Sequence, residues 1–278
     1  MIARRTVLAT GAAALAFPRL ARAAGSRLSF SANFEQGGLV VGHAPPGTRV
    51  RVDGKPVLVT PDGAFAFGFA YDRTKPLRVV ARYADGSTET RDVAPAARTY
   101  EIQRINGLPQ KFVTPLPEEL ARIHRENATI VEARMRDTDG IGFAEPFLWP
   151  LPGIVSGVYG SRRIDNGVAM APHLGIDIAA PEGTPIHAPA DAVVSISDDY
   201  FLDGGFTLLD HGHGVSTCYL HQSKRMVKAG DRVARDQVIG LVGQTGRATG
   251  PHTHWGLNWF QLKLDPSLST PTPLPPKA

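Results

Sequence analysis

The segment His173-Leu174-Gly175-Ile176-Asp177, answered about 75 residues later by His252-Thr253-His254, offers imidazoles and a carboxylate of the kind that hold a catalytic zinc ion. On an extended backbone residues 173, 175 and 177 face one side of a strand, and so do residues 252 and 254. Gly175 carries no side chain, so nothing between His173 and Asp177 obstructs their convergence on one ion. Zinc takes histidine nitrogen at roughly 2.0–2.1 Å and carboxylate oxygen at roughly 2.0–2.2 Å, and a catalytic site keeps three protein ligands with a fourth position for water. Two histidines and an aspartate fill those three places.

Other chemistries fit less well. The helical zinc-protease signature His-Glu-x-x-His and its inverse are absent, so no glutamate is placed as the usual base. Cys218 is the single cysteine, which excludes a deaminase-type zinc site and leaves histidines as the proton handlers. His221 ends a strand-like run in which alternation puts Tyr219 and His221 on one face. If that strand neighbours the one carrying His252 and His254, His221 and His252 flank a zinc-bound water whose pKa falls from about 15.7 toward 7. One imidazole can then orient the water or accept its proton, and the other can donate a hydrogen bond to the oxyanion. A second His-x-His pair, His211-Gly212-His213, lies between Asp210 and Gly214 and reads as a turn between strands. The run from Gly240 to Gly250 has the glycines of a phosphate loop without its terminal Lys-Ser/Thr or a following helix pattern. Its Gly243, Gly246 and Gly250 are expected to let a corner pass near the metal and leave a floor for an extended peptide.

The elements that must position these residues are mainly β. Residues 28–95 read as a small antiparallel sandwich: Arg49-Val50-Arg51-Val52 alternates before Asp53-Gly54, and residues 64–67 and 77–83 form further strands bounded by Pro61-Asp62-Gly63 and Asp85-Gly86. His43 reads as a loop residue. Residues 96–148 form a connecting region with a helix at about 118–136, opened by Pro115, Pro117 and two glutamates, with Leu120, Ile123, Ile130 and Val131 near one stripe. His124 falls on its surface. Residues 149–264 return to strand and glycine-cornered turn, an antiparallel β catalytic domain in which Cys218 is a buried strand residue. Residues 265–278 are rich in proline and are expected to be an extended, poorly ordered tail.

Residues 1–23 read as an export signal: a basic start with Arg4-Arg5, a weakly apolar run, and Ala21-Arg22-Ala23 before the cut. The paired arginines point to the twin-arginine route and a periplasmic destination. No other stretch approaches a membrane span. Cleavage removes four arginines and no acid from 30 basic and 26 acidic residues, leaving 26 of each, so the basic balance of the full chain is no footprint for nucleic acid.

The C-terminal region resembles the LytM/lysostaphin-type metallopeptidases, family M23. The resemblance runs through Val158-Tyr159-Gly160-Ser161-Arg162-Arg163, the segment 173–181, Tyr219-Leu220-His221, Val227-Lys228-Ala229-Gly230-Asp231 and Thr249-Gly250-Pro251-His252-Thr253-His254, covering about residues 150–260. It implies a β-rich domain with an open groove, one zinc ion on His173, Asp177 and His254, and catalytic histidines at His221 and His252. It also implies cleavage of stem peptides or crosslinks of bacterial peptidoglycan, and the export signal favours a D,D-endopeptidase. His213 and Gln222 depart from the family's usual residues without touching this expected metal shell. The rival reading is an exported, non-catalytic peptidoglycan-binding or amidase-activating protein, which a metal-free native protein would favour. Lipoyl-type and sugar-phosphotransferase carrier domains share the glycine-cornered pattern around Val227 to Val242, but export and the two separated metal motifs count against them.

Overall fold

A computed structural model describes residues 26–31, 34–107 and 110–272 of the chain; residues 1–23, expected to be an export signal, and residues 273–278 lie outside the described residues. The first strands follow their turn chemistry. Arg49–Val52 exposes its arginines, buries its valines and turns back through Asp53-Gly54, whose φ values of 45° and 78° are the left-handed pair that a two-residue hairpin requires. It pairs with Lys55–Val57 on one side and Leu77–Arg82 on the other, with Thr88–Val93 beyond. A second antiparallel sheet runs Ser29–Phe30, Leu39–His43, Ala64–Gly68, so His43 ends a strand instead of lying in a loop. Val50, Val52, Phe65, Phe67, Val79 and Ala81 share a single buried cluster drawn from both sheets, which is the packing of a sandwich.

The larger part of the fold is one sheet in the order Arg232–Val233, Ala192–Tyr200, Gly204–Gly212, Val215–Gln222, His252–Trp259, Ile176–Ala179, Ile154–Gly157, with Leu262–Leu264 also paired to His252–Trp259. Every pairing within it is antiparallel. One face buries Leu209, Tyr219, Trp255 and Leu257. The opposite face carries Leu208, Cys218 and Leu220, and the helix Pro117–Arg134 packs on it through Ile130 and Ala133. Pro117 supplies the preset first turn and the Glu119 carboxylate accepts the Leu116 N–H at 2.8 Å, so the helix begins where its prolines and acids place it.

Three further expectations need correction. The buried stripe of the helix is Ile123, Ile130 and Ala133, whereas Leu120 and Val131 are exposed, because the sheet meets a narrower face than the apolar pattern spans. The strand Ile102–Ile105 pairs in parallel with Arg162–Asp165, so the connecting region adds a parallel ladder beside the antiparallel sheet; four residues of mixed polarity gave that strand no periodic signal. The tail does not begin extended: Pro266–Ser269 forms a 3-10 turn, because the buried Asp265 carboxylate accepts the Ser267 N–H at 2.9 Å and pairs with Arg98 at 2.8 Å.

The helix face gives a direct test. Ile130→Ala should lower unfolding free energy by about 2–5 kcal/mol, whereas Val131→Ala should stay within about 0.5 kcal/mol of the parent. Urea unfolding of both variants checks this, and equal losses would mean that the helix docks by another face.

Candidate metal centre and active-site cleft

Strand register brings the metal-binding types together. Ile176–Ala179 pairs with His252–Trp259 so that Asp177 lies opposite His254 and Ala179 opposite His252. His173 precedes the strand, so loop hydrogen bonds position it and strand alternation does not: its N–H donates to the Ser161 carbonyl at 2.8 Å and its Nδ1–H to the Val158 carbonyl at 3.2 Å. That second bond fixes the tautomer and leaves Nε2 with a lone pair. His173 Nε2 is 2.9 Å from His254 Nδ1 and 3.0 Å from Asp177 Oδ1, and His254 Nδ1 is 2.9 Å from the same carboxylate oxygen. Tetrahedral zinc bonds would set such atoms roughly 3.4 Å apart, so the triad matches a small ion with slight expansion. Space is reserved as well: a Cβ at Gly175 would overlap the His254 ring, and one at Gly157 would overlap the Asp177 carboxylate. The donor set and its clearance fit a zinc-type ion.

The other two histidines reach the same cleft by different means. His252 alternates with His254 along its strand. His221 breaks alternation: Leu220 pairs with His254 and shares its face, and Tyr219 pairs with Trp255 on the buried opposite face. Between Tyr219 and Gln222 the ladder to Gly204–Gly212 shifts register, and His221 there has a φ of 66°. A bulge with a left-handed residue re-aims a side chain. It turns His221 away from Tyr219, contrary to their expected common face, and into the cleft, 4.7 Å from the His252 ring. His221 Nδ1–H donates to the Thr245 carbonyl and His252 Nδ1–H to the Gly250 carbonyl, each at 2.8 Å. Both rings therefore keep Nε2 as the unprotonated nitrogen.

Burial and the nearby His252 and His254 hold His221 neutral, pushing it down to about 3; burial, with His173 close by, holds His254 near 4 despite the Asp177 hydrogen bond. Burial alone would raise Asp177, but His173, the hydrogen bond from His254 and the Arg163 guanidinium outweigh it and keep the carboxyl well below its usual range. Arg163 Nη2 donates to the second carboxylate oxygen, leaving Oδ1 to the histidines. Arg163 stood in a recognised segment without a role, and only the hairpin Arg162–Asp165 with Val168–Ala169 reveals that it reaches the site.

The cleft measures about 590 Å³, and all five predicted residues, His173, Asp177, His221, His252 and His254, line it together. Of the glycines expected on its rim, Gly250 lines it, while Gly243 and Gly246 press against the backbone of Ser223 and of residues 202–204. His211 and His213 are elsewhere. His213-Gly214 is the hairpin turn, with φ values of 53° and 73°. His211 is buried between the Asp191 carbonyl and the Thr217 hydroxyl, and burial pushes it down to about 4. Gln222 is buried and bonds Thr207 and the Tyr219 carbonyl.

A sheet cleft holding a His/Asp/His donor triad with two further histidines beside it defines the class of metallopeptidases. Residues 171–266 match peptidase family M23. A crystal structure from Pseudomonas aeruginosa assigned to peptidase M23 is 32% identical, with a TM-score of 0.66 over 84% of this chain and 94% of its own. The chain belongs to peptidase family M23. It is also similar to the peptidoglycan DD-endopeptidase ShyA of Vibrio cholerae, 47% identical over 88 residues, and to the DD-carboxypeptidase/endopeptidase Mpg of Neisseria meningitidis, 41% identical over 102 residues. Those matches span 32% and 36% of this chain but only 20% and 24% of the two relatives.

The clearance beside His254 can be probed directly. Gly175→Ala should displace that ring and weaken binding of a divalent metal by at least about tenfold, a loss of about 1.4 kcal/mol. Competition with a chromophoric chelator measures it, and unchanged affinity would show that the ring does not need the space.

Proposed function

We propose that this chain is an exported zinc endopeptidase that hydrolyses peptide crosslinks of bacterial peptidoglycan, with D,D-endopeptidase specificity. The observation that carries the reading is the set of three donor atoms 2.9–3.0 Å apart beside two histidines whose Nε2 atoms are free in an open cleft. The names of the similar Vibrio and Neisseria proteins support the substrate class. The reading of residues 1–23 as a twin-arginine signal supports delivery to the envelope, and among the described residues no helix is long and apolar enough to cross a membrane.

His173 Nε2, Asp177 Oδ1 and His254 Nδ1 would hold the ion. Bound zinc supplies Lewis acidity and a water acidic enough to attack at neutral pH. Arg163 keeps the carboxylate ionised and fixed. With Nδ1–H of His221 and His252 committed to carbonyl oxygens, Nε2 is the atom at which each ring can accept a proton. A ring that has taken the proton becomes a donor at the same atom, able to support the oxyanion or protonate the leaving amine. The left-handed backbone at His221 holds that nitrogen beside the triad before substrate arrives. A metal-activated water flanked by two imidazole proton handlers is suited to hydrolysing a peptide bond, which is the expected target.

Digestion of purified crosslinked peptidoglycan by the zinc-loaded protein, read by mass spectrometry, tests the reading. Muropeptide dimers should become monomers with a new diaminopimelyl amine and intact glycan. His221→Ala and His252→Ala should each keep bound zinc and lose about 10²–10⁴-fold in turnover. Release of whole stem peptide would indicate an amidase. No product from any peptidoglycan type would remove the enzyme reading and favour the binding or activator role.

A further inference from the structure

Away from the histidines one side of the cleft carries two cations beside one acid. Asp203, Arg247 and Lys263 all line it, drawn from three segments: the corner after Ala192–Tyr200, the glycine-rich loop, and Leu262–Leu264. Backbone hydrogen bonds weld the first two to the active site. The Arg247 N–H donates to the Leu202 carbonyl and the His221 N–H to the Asp203 carbonyl, each at 2.8 Å. Lys263 lies opposite Asn258 on the strand that carries His252 and His254. Arg134, at the end of the helix, stands behind this wall with its Nη2 3.7 Å from Cys218 Sγ.

The charges do not balance. Arg134, Lys263 and Arg247 all act on Asp203, and the other acid nearby, Glu126, is paired with Arg122, so three cations share one unpaired carboxylate. Asp203, Arg247 and Lys263 form no ion pair or side-chain hydrogen bond with any described residue, and the surplus positive charge faces the cleft. Desolvation holds Asp203 above its ordinary range; desolvation and then Arg134 hold Lys263 below its own. Cations without a fixed counterion favour an anionic ligand, and a guanidinium presents the planar fork that matches a carboxylate.

We propose that Arg247 and Lys263 form a subsite that binds a free carboxylate of the substrate, making the enzyme selective for acidic stem peptides over amidated ones. The proposal rests on the reading of the cleft as a peptidoglycan peptidase site. A stem peptide offers such groups on its terminal D-alanine, its diaminopimelate and its D-glutamate.

Calorimetric titration of the zinc-loaded protein with the uncrosslinked tetrapeptide L-Ala-D-Glu-diaminopimelate-D-Ala tests it, using the free acid and three forms each amidated at one carboxylate. One amidated form should bind about tenfold more weakly at low salt, and its identity names the carboxylate. The Arg247→Gln/Lys263→Gln variant should lose the discrimination. If that variant does not fold, Arg247→Lys, which keeps the charge but not the fork, should reduce it. Equal affinity for all forms, no binding of any form, or discrimination that survives these substitutions would overturn the subsite. Cleavage of crosslinked dimers by the same preparation separates the two readings. Discriminating binding without cleavage retains the subsite and removes the peptidase, and cleavage without discrimination does the reverse.

Discussion

The pairing of Ile176–Ala179 with His252–Trp259 is the constraint on which the site depends. Its register sets Asp177 against His254 on the cleft face and Ile176 against Trp255 on the buried face. A slip of one residue would carry Trp255 and Ile176 into solvent and Asp177 and His254 into the apolar core. The burial of a large aromatic side chain therefore fixes the positions of two potential ligands. The same strand pairs on its other edge with Val215–Gln222, which places His221 within reach of His252. Core packing and site assembly are one event in this sheet.

Asp177 concentrates the electrostatics. It is nearly buried, and a carboxylate in that position stays ionised only because two imidazoles and a guanidinium surround it. Arg163 comes from the hairpin that joins the parallel strand Ile102–Ile105, so the connecting region reaches the Asp177 carboxylate through one side chain. On the opposite face of the same argument stands His211, a buried histidine satisfied by a carbonyl and a hydroxyl, which shows that burial with complete hydrogen bonding makes an inert residue. What distinguishes His221 and His252 is the nitrogen that each leaves unsatisfied in the cleft.

Much of the site was legible because the chemistry lies in residue types at short spacing. His173, Asp177, His252 and His254 stand within two segments, and alternation correctly puts His252 and His254 on one face. His221 was found by its position and misread in its geometry: alternation assigns it to the face of Tyr219, whereas the bulge at φ 66° sends it to the cleft. Bulges depend on pairing with a neighbour, which a single strand's pattern does not contain. Arg163 and the parallel strand Ile102–Ile105 were missed for the same reason, since both acquire meaning only through contacts distant in sequence. In the sandwich, local turn chemistry was sufficient, as Asp53-Gly54 shows. In the helix Pro117–Arg134 the ends were readable, but the choice between Val131 and Ala133 as the buried residue belongs to the sheet beneath it.

The central claim is that strand register builds one metal centre from His173, Asp177 and His254. Anomalous diffraction at the zinc edge from crystals of the zinc-loaded protein tests it most directly. A single strong peak bonded to His173 Nε2, Asp177 Oδ1 and His254 Nδ1 is the result predicted. A peak that instead takes His221 or His252 as a ligand, a peak at His211 and His213, or no peak at the triad would contradict it.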